Sequence, residues 1–301
     1  WSNTQRGLQD AVTNNSPVRK DGARHNYGSE FHIEEKNTAG YVQANFDGDR
    51  WDGNVGLRYV SIDQDVQYYQ QLGPDATITP DVSSLFGNFL VINDSNSHSK
   101  LLPSANFKYD ITDDLLIRLA ASQTMTLADY SSLAGAVSLA NLTHTGTAGN
   151  SDLKPTIGTN FDANLEWYFM PRGLLSFGVF STDLKDYVRY DSADGEYLND
   201  QTGQYEIYNV VKPVNADGRV RGVEVAYEQP IGEFFGVNAN YTYAHGEYDD
   251  GGDLVGTSEN TWNASAFFEN DRFNARVSYT FRSSFYHGML RANQYYQDDT
   301  E

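Results

Sequence analysis

Several stretches of this chain alternate strictly between apolar and polar side chains, the period of a strand whose two faces meet different surroundings. In the clearest, Val237, Ala239, Tyr241 and Tyr243 lie on one side and Asn238, Asn240 and Thr242 on the other. Trp262, Ala264, Ala266 and Phe268 oppose Asn263, Ser265 and Glu269. Phe273, Ala275, Val277, Tyr279 and Phe281 oppose Asn274, Arg276, Ser278, Thr280 and Arg282. Phe161, Ala163, Leu165, Trp167 and Phe169 oppose Asp162, Asn164 and Glu166, and Leu115, Ile117 and Leu119 oppose Arg118. The pattern predicts an all-β chain. It fits a soluble sandwich as well as a barrel with one face in lipid and one in a wet lumen.

The connections separate these two architectures. Tight turns are predicted near Asp47-Gly48, Thr112-Asp113-Asp114, Pro171-Arg172-Gly173, Gly232-Glu233 and Asp271-Arg272. Between them come long connections over residues 70–99, 127–155, 190–217 and 247–259. Outer-membrane barrels alternate short periplasmic turns with long extracellular loops, whereas long loops are uncommon in compact soluble domains. Counted from Phe31, the chain reads as about ten strands of near membrane-spanning length. Trp51, Trp167, Tyr168 and Phe234, near strand ends, are expected to form the interfacial girdle. A sheet in lipid cannot leave an edge open, so about ten strands imply a partial transmembrane antiparallel β-barrel completed by further sequence. Residues 1–30 read as an extracellular loop or irregular segment, 31–286 as the partial barrel and 287–301 as the start of an extracellular loop.

Composition narrows the chemistry. The 301 residues carry 41 Asp plus Glu against 21 Lys plus Arg, a formal charge of −20, which repels phosphate backbones and argues against nucleic-acid binding. Tyr (21) and Phe (16) are too plentiful for a disordered acidic chain and suit a pleated surface. With no cysteine, disulfides, thiol catalysis and Cys-based zinc sites are excluded. No run is apolar and long enough for a transmembrane helix, a test that membrane strands escape.

Four blocks then resemble the barrels of TonB-dependent receptors. The first is Leu102-Pro103-Ser104-Ala105-Asn106-Phe107-Lys108-Tyr109-Asp110 with Leu119-Ala120-Ala121-Ser122-Gln123-Thr124-Met125-Thr126. The second is Gly149-Asn150-Ser151-Asp152-Leu153-Lys154-Pro155 with Asn160-Phe161-Asp162 and Leu165-Glu166-Trp167-Tyr168-Phe169. The third runs from Gly218 to Tyr227 and the fourth from Ala275 to Ser283. They follow the family's order, and their form is most similar to the branch found in xanthomonads and caulobacters. The resemblance implies a barrel of about 22 strands with a plugged lumen. It also implies a Gram-negative outer-membrane location, a plug domain of the same chain as partner, and energy from the TonB complex. The expected ligand is a small, scarce nutrient, a carbohydrate or similar polar solute before a siderophore. Outer-membrane lipid and lipopolysaccharide would surround the barrel. A passive porin and an extracellular β-rich adhesin or structural protein stay open as alternatives.

Candidate sites are few. The six histidines show no metal spacing, no nucleophile–base pattern is present, and no catalytic residue is expected. Asp113-Asp114, Glu34-Glu35 and Asp249-Asp250 are adjacent pairs, which turns or opposite strand faces explain. Tyr68, Tyr69 and Gln70 combine aromatic faces with an amide, the groups that recognise a polar, sugar-like ligand. Asp249, Asp250 and Asp253 in the loop Glu247–Asp253 could offer oxygen ligands to Ca²⁺, although without EF-hand spacing. Arg118, Glu166, Glu224, Arg276 and Arg282 are placed on the lumen side, facing the plug or water.

Overall fold

A computed structural model describes residues 24–73, 76–199, 201–290 and 293–297, with 289–290 and 293–297 as backbone only. The expectation for residues 1–30 therefore lies mostly outside the described residues. In chain order the strands are β1 (Phe31–Asp47), β2 (Trp51–Gln71), β3 (Val82–Ser84), β4 (Gly87–Asp110), β5 (Leu115–Thr126), β6 (Val137–Ala140), β7 (Thr145–Ala148) and β8 (Thr156–Met170). They continue as β9 (Gly173–Asn199), β10 (Gln204–Ile231), β11 (Phe235–Tyr248), β12 (Asn260–Glu269), β13 (Asn274–Arg282), β14 (Phe285–Leu290) and β15 (Asn293–Gln297). Thirteen of these form one sheet, whose main path runs β1-β2-β4-β5-β8-β9-β10-β11-β12-β13. Its pairings are antiparallel except for the short contact of β7 with β10. β14 and β15 pair with each other apart from this sheet, β14 starting inside the expected barrel 31–286 and running into the expected loop 287–301.

All five predicted tight turns are present. The tightest is Pro171-Arg172, where Met170 pairs with Gly173 and Arg172 adopts a left-handed φ of 64°. Pro followed by a positive φ is the type II arrangement, normally completed by Gly or Asn.

Register turns the alternation into two surfaces. Trp51, Tyr109, Ile117, Leu165, Phe177, Val225, Tyr241, Trp262 and Phe281 are cross-strand partners in succession. One residue along, Asp52, Lys108, Arg118, Asn164, Gly178, Glu224, Thr242, Thr261 and Arg282 form the parallel row. Directly paired residues share a face, so the first row belongs to an apolar surface and the second to a polar one. On β2 the apolar face shows Trp51, Val55, Leu57 and Tyr59 and then changes to Ser61, Asp63 and Asp65. That band matches the ~9–11 residues of a membrane strand, and the large exposed apolar side chains on it need a lipid solvent.

The long connections differ from expectation at two places. Most of residues 190–217 is strand, not loop: β9 and β10, of 27 and 28 residues, form one tall hairpin with turn residues at 201–203. Much of 70–99 is likewise the upper part of β4, paired to β2. Above the apolar band both faces meet polar surroundings, so the alternation that marks a strand fades there. β5 and β8 stop low, at Thr126 and Thr156, and the chain between them folds back as an arm.

Candidate functional site

The arm, residues 127–155, lies between two tall hairpins and is fastened to both. On one side it covers the polar face of β2, where the even-numbered residues Val60, Ile62, Gln64 and Val66 are buried while Asp63 and Asp65 stay exposed. Leu133 and Leu153 from the arm pack on Val66, with Ile33, Tyr68 and Val188 around them. Ser151 Oγ donates to Asp94 at 2.6 Å and Asn96 Nδ2 donates to the Ser151 carbonyl at 2.6 Å. A Cβ on Gly149 would overlap the Ala134 carbonyl, so the arm's crossover is tight enough to require glycine there.

On the other side the arm grips the β9–β10 hairpin. Asn150 donates to the Pro213 carbonyl at 3.0 Å, and Ser132 and Tyr190 share a 3.1 Å hydroxyl contact. The β6–β7 hairpin adds its second strand to β10 through Thr145, Gly146 and Thr147. Tyr208, fully buried, donates to Asn141 at 2.7 Å. His144 Nε2 lies 2.6 Å from Glu206, which Asn199 and Thr202 also hold. The Asn199, Thr202 and His144 contacts, in that order of weight, draw the Glu206 carboxyl down to about 2.

Where the arm meets both hairpin tips there is a cavity of about 310 Å³. Gln70, Gln71 and Asn141 bring amides to it, Tyr197 an aromatic ring, and Leu139 and Leu198 apolar walls. No lysine or arginine lines it among the described residues. The expected ligand residues are thus divided. Gln70 reaches this cavity and accepts a hydrogen bond from the Val137 amide at 3.2 Å. Tyr68 shares its face but sits under the arm, next to Gly135, with its phenol pushed up mainly by burial and then by Asp94. Tyr69 points to the opposite face, 5.1 Å from Tyr27. Tyr197 and Asn141 were not legible as partners of Gln70, because only the folded arm and the hairpin tip bring them together.

Deeper, the polar face carries paired charges. Arg118 Nε donates to Glu166 at 2.9 Å, and the Tyr168 hydroxyl donates to the same carboxylate at 2.9 Å. Tyr168 therefore faces inward, away from the apolar surface to which Trp51 and Trp167 belong, while Phe234 packs against Phe268 at 6.1 Å. Lys108 bridges Asp52 and Asp110, each at 3.2 Å. Arg276 lies over the Phe267 ring at 5.3 Å.

The acidic loop is organised by arginine. Arg189 makes a two-pronged pair with Asp250, at 2.8 and 2.6 Å, and holds that carboxyl below its usual range. Arg219 contacts Asp249 at 3.4 Å, while Asp253 bridges to Glu247 through the backbone. Burial pushes the Tyr248 phenol beneath Arg189 up to about 12. Among the described residues no group of three acidic or histidine side chains is placed to hold a metal ion. The geometry thus gives the calcium expectation for Asp249, Asp250 and Asp253 no ligand set.

A polar inner row, an apolar outer band and an arm folded over the inner mouth together describe one wall of a β-barrel. Residues 1–300 match the family model described as TonB dependent receptor-like, beta-barrel. The chain belongs to that family. Solved structures similar to it include the copper transporter OprC, at 14% identity and TM-score 0.63 over 88% of this chain and 37% of that one. The ferric-catecholate import receptor Fiu from K12 E. coli follows at 17% identity and TM-score 0.61, over 88% and 38%. The ferric yersiniabactin uptake receptor FyuA from Yersinia pestis shows 16% identity and TM-score 0.58, over 88% and 37%. At such identities the likeness is one of fold. This receptor barrel segment spans between a third and two fifths of the length of those chains. Family members are outer-membrane receptors and transporters.

Proposed function

We propose that these residues form the substrate-facing wall of an active importer in a Gram-negative outer membrane. A plug domain of the same polypeptide fills the lumen, and the TonB complex supplies the energy. The observation that carries this reading is the inner face itself: a continuous polar row rising to a mouth walled by the arm and the two tall hairpins. Capture uses this preformed mouth, whereas passage requires work on the plug.

The mouth also supports a substrate class. Its cavity offers amides and a tyrosine ring without a cation, and the chain's charge is −20. Such a surface disfavours polyanionic iron chelates and suits a neutral, hydroxyl-rich solute, whose C–H faces stack on tyrosine and whose hydroxyls need amides. The block resemblance to the xanthomonad and caulobacter branch supports the same carbohydrate-like class. A cell lacking TonB should bind the ligand at its surface but fail to accumulate it at low concentration. Uptake that persists unchanged without TonB would make the barrel a passive porin. Tight binding of a ferric catecholate, with none of neutral oligosaccharides, would overturn the substrate class while leaving transport intact.

A further inference from the structure

The wall forks above Ser104 and Ser122. From Asp110 up to Ser104, β4 pairs with β5; from Pro103 to Asn93 it pairs only with β2, while β5 continues to Thr126 on β8 alone. Pro103, which has no N–H to donate, stands at the fork. A cavity of about 260 Å³ lies between the diverging strands. Its inner border on β4 is Lys100 and His98, which pair with the buried Val60 and Ile62 of β2 on the arm-covered face. The end of the arm brings Lys154 and Pro155 to it, and β9 brings Asp186.

The backbone around this cavity is fixed while its cations are left over. Asn215 accepts from the Lys154 amide at 2.9 Å and donates to the Lys154 carbonyl at 3.1 Å. The same side-chain amide donates to the Asp186 carbonyl at 2.7 Å, and Thr156 donates to that carbonyl at 3.1 Å. Yet neither Lys100 nor Lys154 makes an ion pair within the described residues. Arg58, likewise unpaired, lies one diagonal step from Lys100 on the same face. His98 adds a buried Nε2 that no protein group satisfies, a donor in the tautomer that protonates it. One carboxylate, Asp186, opposes the two lysines. Two unpaired ammonium groups and an unsatisfied ring nitrogen make an anion site.

Charge and position narrow the anion. Two lysines against Asp186 leave a small positive surplus, which suits a single carboxylate, whereas a polyanion would also meet the aspartate. Lys100 pairs with Val60, next to the Tyr59–Leu101 pair that ends the apolar band. The mouth cavity borders Gln70, farther up the same strand β2. The fork therefore lies on the inner wall between the mouth and the band, where a solute leaving the mouth passes.

We propose that the fork is a second contact point for the imported solute, where Lys100, Lys154 and His98 bind one carboxylate carried by an otherwise neutral, hydroxyl-rich molecule. The site rests on the import function proposed above and narrows its substrate to sugars with an acidic unit among neutral ones. Isothermal titration of the complete polypeptide, purified in a neutral detergent, compares an aldotriouronic acid with its carboxyl-reduced counterpart. The acid should bind about tenfold more tightly, since a hydrogen bond to a charged group is worth about that factor. Lys100→Gln with Lys154→Gln should erase the difference, and Lys100→Arg with Lys154→Arg should keep it. Asp186→Asn should widen it, because the opposing charge goes and asparagine tolerates the left-handed φ of 56° there. Lys36→Gln, at a similar height but on the outer face beside Asp63, should change nothing. Heat-modifiable migration of each variant separates loss of the site from loss of the fold. An acid that binds no better than the reduced sugar, or a preference that survives the double glutamine variant, would overturn the proposal. A plug that becomes protease-sensitive in that variant, with the preference intact, would give the lysines to the plug instead. Failure of both sugars alongside tight binding of a ferric catecholate would remove the substrate class itself, and this site with it.

Discussion

Single residues on this sheet are governed by which of two solvents they meet. Val237, Ala239 and Tyr241 share the outer face with Trp262 and Val225, while Asn238 and Asn240 pair with Ser265 and Asn263 on the inner face. Ala239→Arg should therefore destabilise the folded barrel in lipid by ~2–4 kcal/mol near the midplane, and ~0–1 kcal/mol if it lies near an interface. Asn240→Arg, one position on, should change stability far less. Denaturant titrations in lipid vesicles measure both, and equal costs would remove the two-solvent account. This face assignment was legible in the sequence because alternation is a local property. Tyr168 was not: it belongs to the inward set by period, yet its place near a strand end suggested the girdle. Only the Glu166 carboxylate beside it shows what its hydroxyl does.

At the scale of elements, the sequence showed where the chain turns tightly but not how tall its strands are. β9 and β10 continue well past the band, through Arg189, Asp191 and Asn209, where both faces are polar and period two vanishes. Their pairing is set by the hairpin and by the arm that leans on it. The arm itself is held by contacts far apart in sequence, such as His144 with Glu206, which no local pattern announces. Glu206→Ala should release it: a spin label at the exposed position 142 should give a sharper, more mobile spectrum, with the barrel band unaffected. Acid should act in the same direction. The Glu206 carboxyl is depressed to about 2 from an ordinary value near 4.5, so its contribution is complete above about 4.5. That contribution is lost as pH falls toward about 2, where the folded form too takes up the proton. Label mobility should rise through that window in the native protein and stay flat in the alanine variant. An arm equally immobile in both would show that the apolar contacts of Leu133 and Leu153 suffice to hold it.

For the whole molecule, the decisive constraint is closure. β1 and β13 lie at opposite ends of the path, and among the described residues neither pairs with another strand on its outer side. In water such edges would be a liability, but in lipid each unpaired backbone group costs several kcal/mol, which forbids an open spanning sheet. The sheet must therefore be completed by strands of the same polypeptide or of another copy. The residues on the two edges suit pairing rather than protection: β13 offers Asn274 to Arg282 without proline or bulge, and β1 is a regular strand from Phe31 to Asp47. These 301 residues refolded alone into lipid vesicles should thus fail to give the heat-modifiable, protease-resistant band of a closed barrel. Adding the remaining strands of the receptor in trans should restore that band, because register on β1 and β13 is already fixed by their inner neighbours. A closed monomeric barrel formed by the segment alone would show that its sheet curls further than the structure has it. A closed band appearing only at the mass of two copies would mean that β1 and β13 can serve each other across molecules.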